Sequence, residues 1–257
     1  MPRTRIDNLL LERGLVESRA KAQSLIMAGQ VRADGQVVLK SSTLVEPGVR
    51  LELKEKPRFV SRGGEKLEAA FEKFGIDVAG TVCADVGAST GGFTDCLLQR
   101  GAARVYAIDV GKGVLHWKLR KDARVVVMEQ TNARYVDSLP EKIDLAVVDA
   151  SFISLKILLP VIMNWMKAGG RIICLVKPQF EAGRKEAARG AGVIRKPEIH
   201  RQVLSEIIEF ADRCGLGVQY LMRSPIKGPK GNFEFLLELG QNAKSLNMES
   251  LLAGLEL

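Results

Sequence analysis

From residue 65 onward, strand-length apolar runs alternate with amphipathic helical segments, and that alternation leaves few folds open to the chain. Residues 65–74 place Leu67, Ala70, Phe71 and Phe74 on one helical face. Strands are expected over 81–86, 103–108, 124–128, 143–148 and 171–176. Helices over 93–100, 155–166 and 199–214 separate them, and runs at 218–223 and 233–239 close the series. Helices that return the chain between buried strands make those strands parallel and cover both sheet faces. The expected fold class is α/β, a Rossmann-like doubly wound sheet, mostly parallel with the last strand antiparallel. A small α+β unit precedes it.

That unit occupies residues 1–57. Ile6, Leu9 and Leu10 fit one helix ended by Gly14, and Ser18 is a natural N-cap for a second helix through Ala28. Asp34-Gly35 joins two short strands in a hairpin, and Pro47-Gly48 turns into a strand over 49–53. Residues 1–58 hold 11 Lys/Arg against 7 Asp/Glu, so half of the net charge of +8 lies in under a quarter of the 257 residues. Arg3, Arg5, Arg19, Lys21, Arg32 and Lys40 would form a basic face; a solvated surface reads the same way. The charged stretch around Pro57 reads as a linker. The boundaries are then 1–57, a linker at 58–62, a large domain at 63–240 and a tail at 241–257.

Composition excludes several classes. No apolar run approaches the roughly 20 residues that span a bilayer, and the N-terminus lacks an apolar signal region. A cytoplasmic protein with no membrane requirement is expected. Cys83, Cys96, Cys174 and Cys214 form no Cys-x-x-Cys pair, and His116 and His200 are the only histidines, which read as surface residues. No metal site is expected, and the thiols read as reduced. A pI of about 9.4 favours a polyanion, either nucleic acid or an anionic membrane.

Asp85-Val-Gly-Ala-Ser-Thr-Gly-Gly-Phe-Thr joins the first strand of the large domain to its helix. Ligands of open α/β sheets bind at the carboxyl ends of strands. Gly87, Gly91 and Gly92 let backbone approach a ligand, and the N–H groups of Gly92 and Phe93 would face an acceptor such as a carboxylate. Asp109 ends the next strand, where an acid can accept both ribose hydroxyls. Ser89 stands where a dinucleotide fingerprint needs its second glycine, and no P-loop is present. S-adenosylmethionine has no phosphate and needs only a carboxylate cradle and a ribose clamp. Gln130 and Asn132 would lie near the adenine, or serve an ordinary loop.

Asp149 and Lys177 each follow an apolar strand, so both fall at the rim that holds the glycine turn. If those strands pair directly, the side chains stand about 5 Å apart. Glu234 opens the last strand, and Lys66 starts the helix before the first. A ribose 2′-hydroxyl is a poor nucleophile, so methylating it needs a base or a nearby cation. Lys66 and Lys177 could supply that, with Asp149 and Glu234 orienting them. Ordinary salt bridges at a sheet edge would look the same. Base N-methylation fits worse, because the loop Asp149-Ala-Ser-Phe152 lacks the usual prolines, and no cysteine stands at the rim for pyrimidine C5 chemistry.

The segments from Arg5 to Leu10 and from Arg19 to Gly35 resemble the small RNA-binding domain first known from ribosomal protein S-four. Lys66, Asp149, Lys177 and Glu234 stand where the FtsJ-like ribose 2′-O-methyltransferases carry a Lys-Asp-Lys-Glu tetrad. With Val60–Leu67, Val148–Ile153, Val176–Glu181 and Gly228–Glu234 added, residues 3–240 resemble the TlyA family, often labelled hemolysin. The resemblance implies 2′-O-methylation of cytidine in ribosomal RNA, with that RNA or the ribosomal subunits as partner; the sequence does not fix the oligomeric state, and a monomer is the favoured reading. It implies S-adenosylmethionine held by Asp85, Gly87, Ala88, Ser89, Gly91, Gly92, Phe93, Thr94, Asp109, Val110, Gln130, Asn132 and Asp149. RNA contacts would add Arg62, Arg184, Lys185 and Arg189 to the basic face. One departure is Phe59, in a linker where characterised members have tryptophan.

Lesser signals remain. Residues 183–196 read as a basic RNA-gripping loop or a solvated insertion. Lys112, Trp117, Lys118 and Arg120 could add a stacking and phosphate surface, although a tryptophan more often lies in a core. Leu251, Leu252 and Leu255 fit a short helix in the tail. The rival readings are a membrane-active hemolysin and an assembly factor with a vestigial site.

Overall fold

Two compact units, Met1–Arg58 and Phe59–Leu257, make up the computed structural model, which describes residues 3–53, 57–183, 186 and 190–255. In the first unit, β1 (Thr4–Arg5) pairs antiparallel with β4 (Leu44–Val45). Helices α1 (Ile6–Glu12) and α2 (Arg19–Met27) pack on β2 (Val31–Ala33), β3 (Gln36–Val38) and β5 (Leu51–Leu53). Ile6, Leu10, Ala22, Ile26 and Val31 form its core. Ser18 caps α2 by accepting from Lys21 N at 3.2 Å, and Asp34 and Gly35 both take positive φ, as a tight hairpin turn requires. Asp7 is fully buried and accepts from Arg5, Arg19 and Gln23. The two guanidiniums hold its carboxyl well below the usual range.

The second unit is built on a seven-stranded sheet of order β11-β12-β10-β9-β6-β7-β8. Its strands are β6 (Val82–Val86), β7 (Arg104–Ile108), β8 (Val125–Met128), β9 (Ile143–Val148), β10 (Met166–Val176), β11 (Leu216–Arg223) and β12 (Phe235–Gln241). Only β12 runs antiparallel to its neighbours, as expected. Alternate residues feed two cores. Ala146 and Val148 of β9 and Ile172, Cys174 and Val176 of β10 meet α6 (Leu155–Met163) and α8 (Pro197–Arg213) on one face. Leu145, Val147, Ile173 and Leu175 meet α3 (Gly63–Phe74) and α4 (Gly92–Gln99) on the other. Helix α3 starts on two glycines with no side-chain cap, a loss of about 1 kcal/mol. Burial of Leu67 and Phe71, at 0% and 1% exposure, outweighs it at roughly 2 kcal/mol each. Phe59 is buried in the same core, against Gly64, where a Cβ would overlap its ring.

Shorter helices are α5 (Trp117–Arg120), α7 (Pro178–Glu181) and α9 (Met248–Ala253), the last in the tail as anticipated.

Two expectations are corrected. The helix expected to reach Met166 stops at Met163, and Met166 instead opens β10 opposite Ile143. The apolar rhythm runs on through Trp165 and Met166, but Trp165 Nε1 donates to Val136 O at 2.9 Å and its carbonyl accepts from Ile143 N. Those bonds turn the chain into the sheet. His200 is buried, not superficial: its Nε2 lies 3.0 Å from Ile194 O and its ring abuts Phe233 and Phe235. Burial lowers its pKa. Trp117 is 65% exposed, with Lys121 Nζ 5.3 Å from its ring centroid. No helix among the described residues is long and apolar enough to cross a membrane.

Candidate active site

The glycine turn after β6 owes its path to two residues. Gly87 has φ +84, and a Cβ there would lie 2.8 Å from Asp149 O. Gly91, the N-cap of α4, has φ +94, and a Cβ there would overlap Leu119. An L-side chain is therefore both strained and obstructed at each. Below the turn, Asp85 Oδ2 accepts from Thr94 N at 2.9 Å and Thr94 Oγ1 at 2.6 Å, tying the strand to the first turn of α4. Asp85 is fully buried, and Oδ1 has no partner among the described residues. Burial raises its pKa to about 7, with Asp149 and Asp109 adding to the rise against the Thr94 bonds.

Two adjoining cavities open at this rim. The larger, about 720 Å³, runs past Asp85, Gly87–Thr90, Gly92 and Phe93 to Lys66, Asp149, Lys177 and Glu234. The smaller, about 290 Å³, has apolar walls from Ile108, Val110, Ala133, Ile153 and Leu158, with Asp109 and Asn132 at its edge. Gly87, Ser89, Asp149, Ser151 and Phe152 border both. Asp109 already holds its loop, accepting from Ser89 N at 2.8 Å and Gly111 N at 2.7 Å. Each of its oxygens keeps a second lone pair for a hydroxyl.

Four charged groups form two pairs in the larger cavity. Strands β9 and β10 are direct parallel neighbours, with Val148 opposite Cys174. Asp149 and Lys177 thus leave the sheet at one rim, where Lys177 Nζ lies 2.6 Å from Asp149 Oδ1 and donates to Ser151 Oγ at 3.0 Å. Lys66 Nζ, from α3, donates to Glu234 Oε2 at 2.6 Å across 168 residues of sequence. Lys66 and Lys177 are each 8% exposed and Glu234 is 1% exposed. Glu234 lies just before β12 rather than on it, and a Cβ at Gly228 would overlap its Oε1.

The structure brings together most of the expected cofactor residues. Thr94 lies beneath the cavity, fully buried, and Gln130 stands outside both, at φ +52 with its N–H on Gly111 O. Arg62 lines the larger cavity. In the first unit Lys21, Arg32 and Lys40 are exposed, Arg3 pairs with Glu46, and Arg5 and Arg19 share Asp7. Arg184, Lys185 and Arg189 lie outside the described residues.

Sequence reasoning missed Ser61, Ser151, Phe152, Phe180, Lys227 and Lys230, all on the larger cavity. Phe152 is 89% exposed at φ +64, 4.8 Å from the Phe180 centroid. An aromatic ring directly after Ser151 in the loop that leaves the rim was the available signal. Burial pushes the Cys83 thiol up to about 12 and Cys174 higher still, so neither supplies a thiolate.

Residues 59–241 match the FtsJ-like methyltransferase model and residues 4–51 the S4 domain model. The chain is 43% identical to the 16S/23S rRNA (cytidine-2′-O)-methyltransferase TlyA of Mycobacterium tuberculosis, over 97% of this chain and 94% of that one. It is 42% identical to hemolysin A of Brachyspira hyodysenteriae, over 90% and 98%. A solved Streptococcus thermophilus structure, 43% identical, superposes with TM-score 0.74 over 98% of this chain and 95% of that one. A solved S-adenosylmethionine-dependent methyltransferase at 13% identity shares the fold of the large unit, with TM-score 0.51. The chain belongs to the FtsJ-like methyltransferases, in the TlyA family that places an S4 domain ahead of the methyltransferase.

Proposed function

We propose that this protein transfers the methyl group of S-adenosylmethionine to the ribose 2′-hydroxyl of a cytidine in ribosomal RNA. The observation that carries this reading is the convergence of two lysine–carboxylate pairs, with both lysines and Glu234 buried, on one cavity beside the glycine turn. The residues present fit the donor. Asp85 Oδ1, buried and unpartnered at the cavity floor, suits a ligand ammonium. Asp109 suits a ribose, and the smaller cavity's apolar walls suit an adenine.

When bound, the donor supplies an electrophilic methyl on sulfur. The chain's own work is to position and activate the hydroxyl. Lys177 is held by Asp149 and Ser151, so its Nζ has little freedom. An amine there accepts the hydroxyl proton, and an ammonium stabilises the oxygen as negative charge develops. Lys66, fixed by Glu234, gives a second cation for the same oxygen, and the carboxylates keep the site near neutrality. The low exposure of Lys66, Lys177 and Glu234 strengthens each of these interactions. Phe152 offers an exposed aromatic face at the mouth on which a base can stack. The S4 domain's exposed cations would hold structured RNA through phosphates. The protein would work where ribosomes are, in the cytoplasm, as a monomer.

The test is transfer of tritiated methyl to ribosomal subunits from cells lacking this protein. Incorporation by the wild type and its loss in Lys177→Ala is the expected result. Equal counts from both proteins would remove Lys177 from the mechanism.

A further inference from the structure

The mouth of the larger cavity carries cations that the tetrad does not use. Lys66 and Lys177 are each matched by a carboxylate at 2.6 Å. Among the other charged residues that line the cavity, Asp85 is buried at the floor while Arg62, Lys227 and Lys230 are exposed. Lys227 Nζ lies 4.5 Å from the Phe233 ring centroid. Neither Lys227 nor Lys230 has a carboxylate partner among the described residues. A neutral ligand would leave both charges without a counterpart.

Backbone geometry singles out Lys230. It takes φ +59 and ψ 12, a left-handed conformation in which glycine or asparagine is at ease and lysine is strained. The turn is closed by Gly228 N on Asn232 O at 2.9 Å and Gly231 N on Gly228 O at 3.1 Å. Asn232 also pins the facing wall, donating to Gly192 O at 2.9 Å and accepting from Ile194 N at 3.0 Å. Lys230 Nζ comes within 3.8 Å of where a Gly192 Cβ would stand. Local backbone preference does not favour lysine here, and no ion pair holds it.

We infer that Lys227 and Lys230 form a phosphodiester clamp, which grips backbone phosphates beside the target nucleotide and sets its ribose against Lys177. The clamp rests on the reading that the substrate is RNA. Phosphate contacts of this kind position the strand and leave a defined mark, because each releases counterions and steepens the salt dependence of binding.

The experiment uses the full-length protein, the variants Lys227→Gln, Lys230→Asn and Lys227→Arg, and two readouts against potassium chloride concentration. One is kcat/KM for methyl transfer to ribosomal subunits from cells lacking the protein. The other is binding of a fluorescein-labelled oligocytidylate, followed by anisotropy without turnover. Lys227→Gln and Lys230→Asn are each expected to flatten the log–log slope by about 0.7–1. Lys227→Arg keeps the wild-type slope. Lys230→Asn melts no lower than the wild type, which separates lost RNA contact from lost folding. Unchanged slopes in both readouts with normal methyl transfer would overturn the clamp alone. Flattened binding slopes in a protein that transfers no methyl would overturn the methylation reading and leave the clamp standing.

Discussion

Replacing Asp85 with asparagine should stabilise the larger unit while weakening its grip on S-adenosylmethionine. Asp85 titrates near 7 in the folded protein because it is buried; in the unfolded chain it titrates near 3.9. A carboxyl with a raised folded pKa binds more protons folded than unfolded between those values, so stability falls as pH rises across that window and levels off above it. The full difference, about 3 pKa units at 1.36 kcal/mol each, is about 4 kcal/mol at pH 7.5. At pH 5 only about 1.5 kcal/mol of it has developed. Asparagine keeps an acceptor for Thr94 and never ionises. Urea unfolding of Asp85→Asn and wild type, both without ligand, should show the variant more stable at pH 7.5, with the advantage shrinking by roughly 2.5 kcal/mol at pH 5. Calorimetry should show the variant binding S-adenosylmethionine more weakly, since Oδ1 no longer offers a negative charge to the ligand ammonium. A variant no more stable than wild type at pH 7.5, or an advantage independent of pH, would refute the claim that burial sets this carboxyl's state.

Lys177→Ala should lower kcat by about 10²–10⁴ with S-adenosylmethionine affinity retained, measured by single-turnover methyl transfer and calorimetry; a loss of donor affinity alone would move Lys177 out of the chemical step. Lys66→Ala strands Glu234, 1% exposed, and should cost about 3–5 kcal/mol in urea unfolding, partly restored by adding Glu234→Gln; an unshifted midpoint would show that the pair is not coupled. Phe152→Gly relieves a left-handed φ and should hold or raise stability by up to about 1 kcal/mol, while the KM for RNA rises. A KM equal to wild type would show that this ring takes no part in binding the base.

The strands could be read because burial on both faces leaves apolar runs of strand length. Asp149 and Lys177 could be placed together because each directly follows such a run, and parallel neighbours deliver their ends to one rim. Lys66 and Glu234 are different: 168 residues separate them, and no local pattern joins them. Only topology could bring them to the same rim, through an antiparallel last strand opened by Glu234 and a helix starting at Lys66, and the family resemblance added the tetrad. The mouth was not legible. Phe152 and Lys230 matter through positive φ values that non-glycine residues seldom adopt, and sequence periodicity carries no trace of such angles. His200 lies at the start of an amphipathic helix, where a polar ring reads as exposed; the bond to Ile194 that buries it depends on a loop from outside that helix. Met166 misled because apolar spacing cannot tell the last turn of a helix from the first residue of a strand.

The tetrad is expected to direct methyl transfer to a ribose oxygen. Ribosomal subunits from cells lacking the protein, treated with enzyme and isotopically labelled S-adenosylmethionine, can be digested to nucleosides and read by mass spectrometry. Label retained on the ribose fragment of cytidine, and absent after Lys177→Ala, is the result expected. Label on a base, or none on any nucleoside, would contradict the claim.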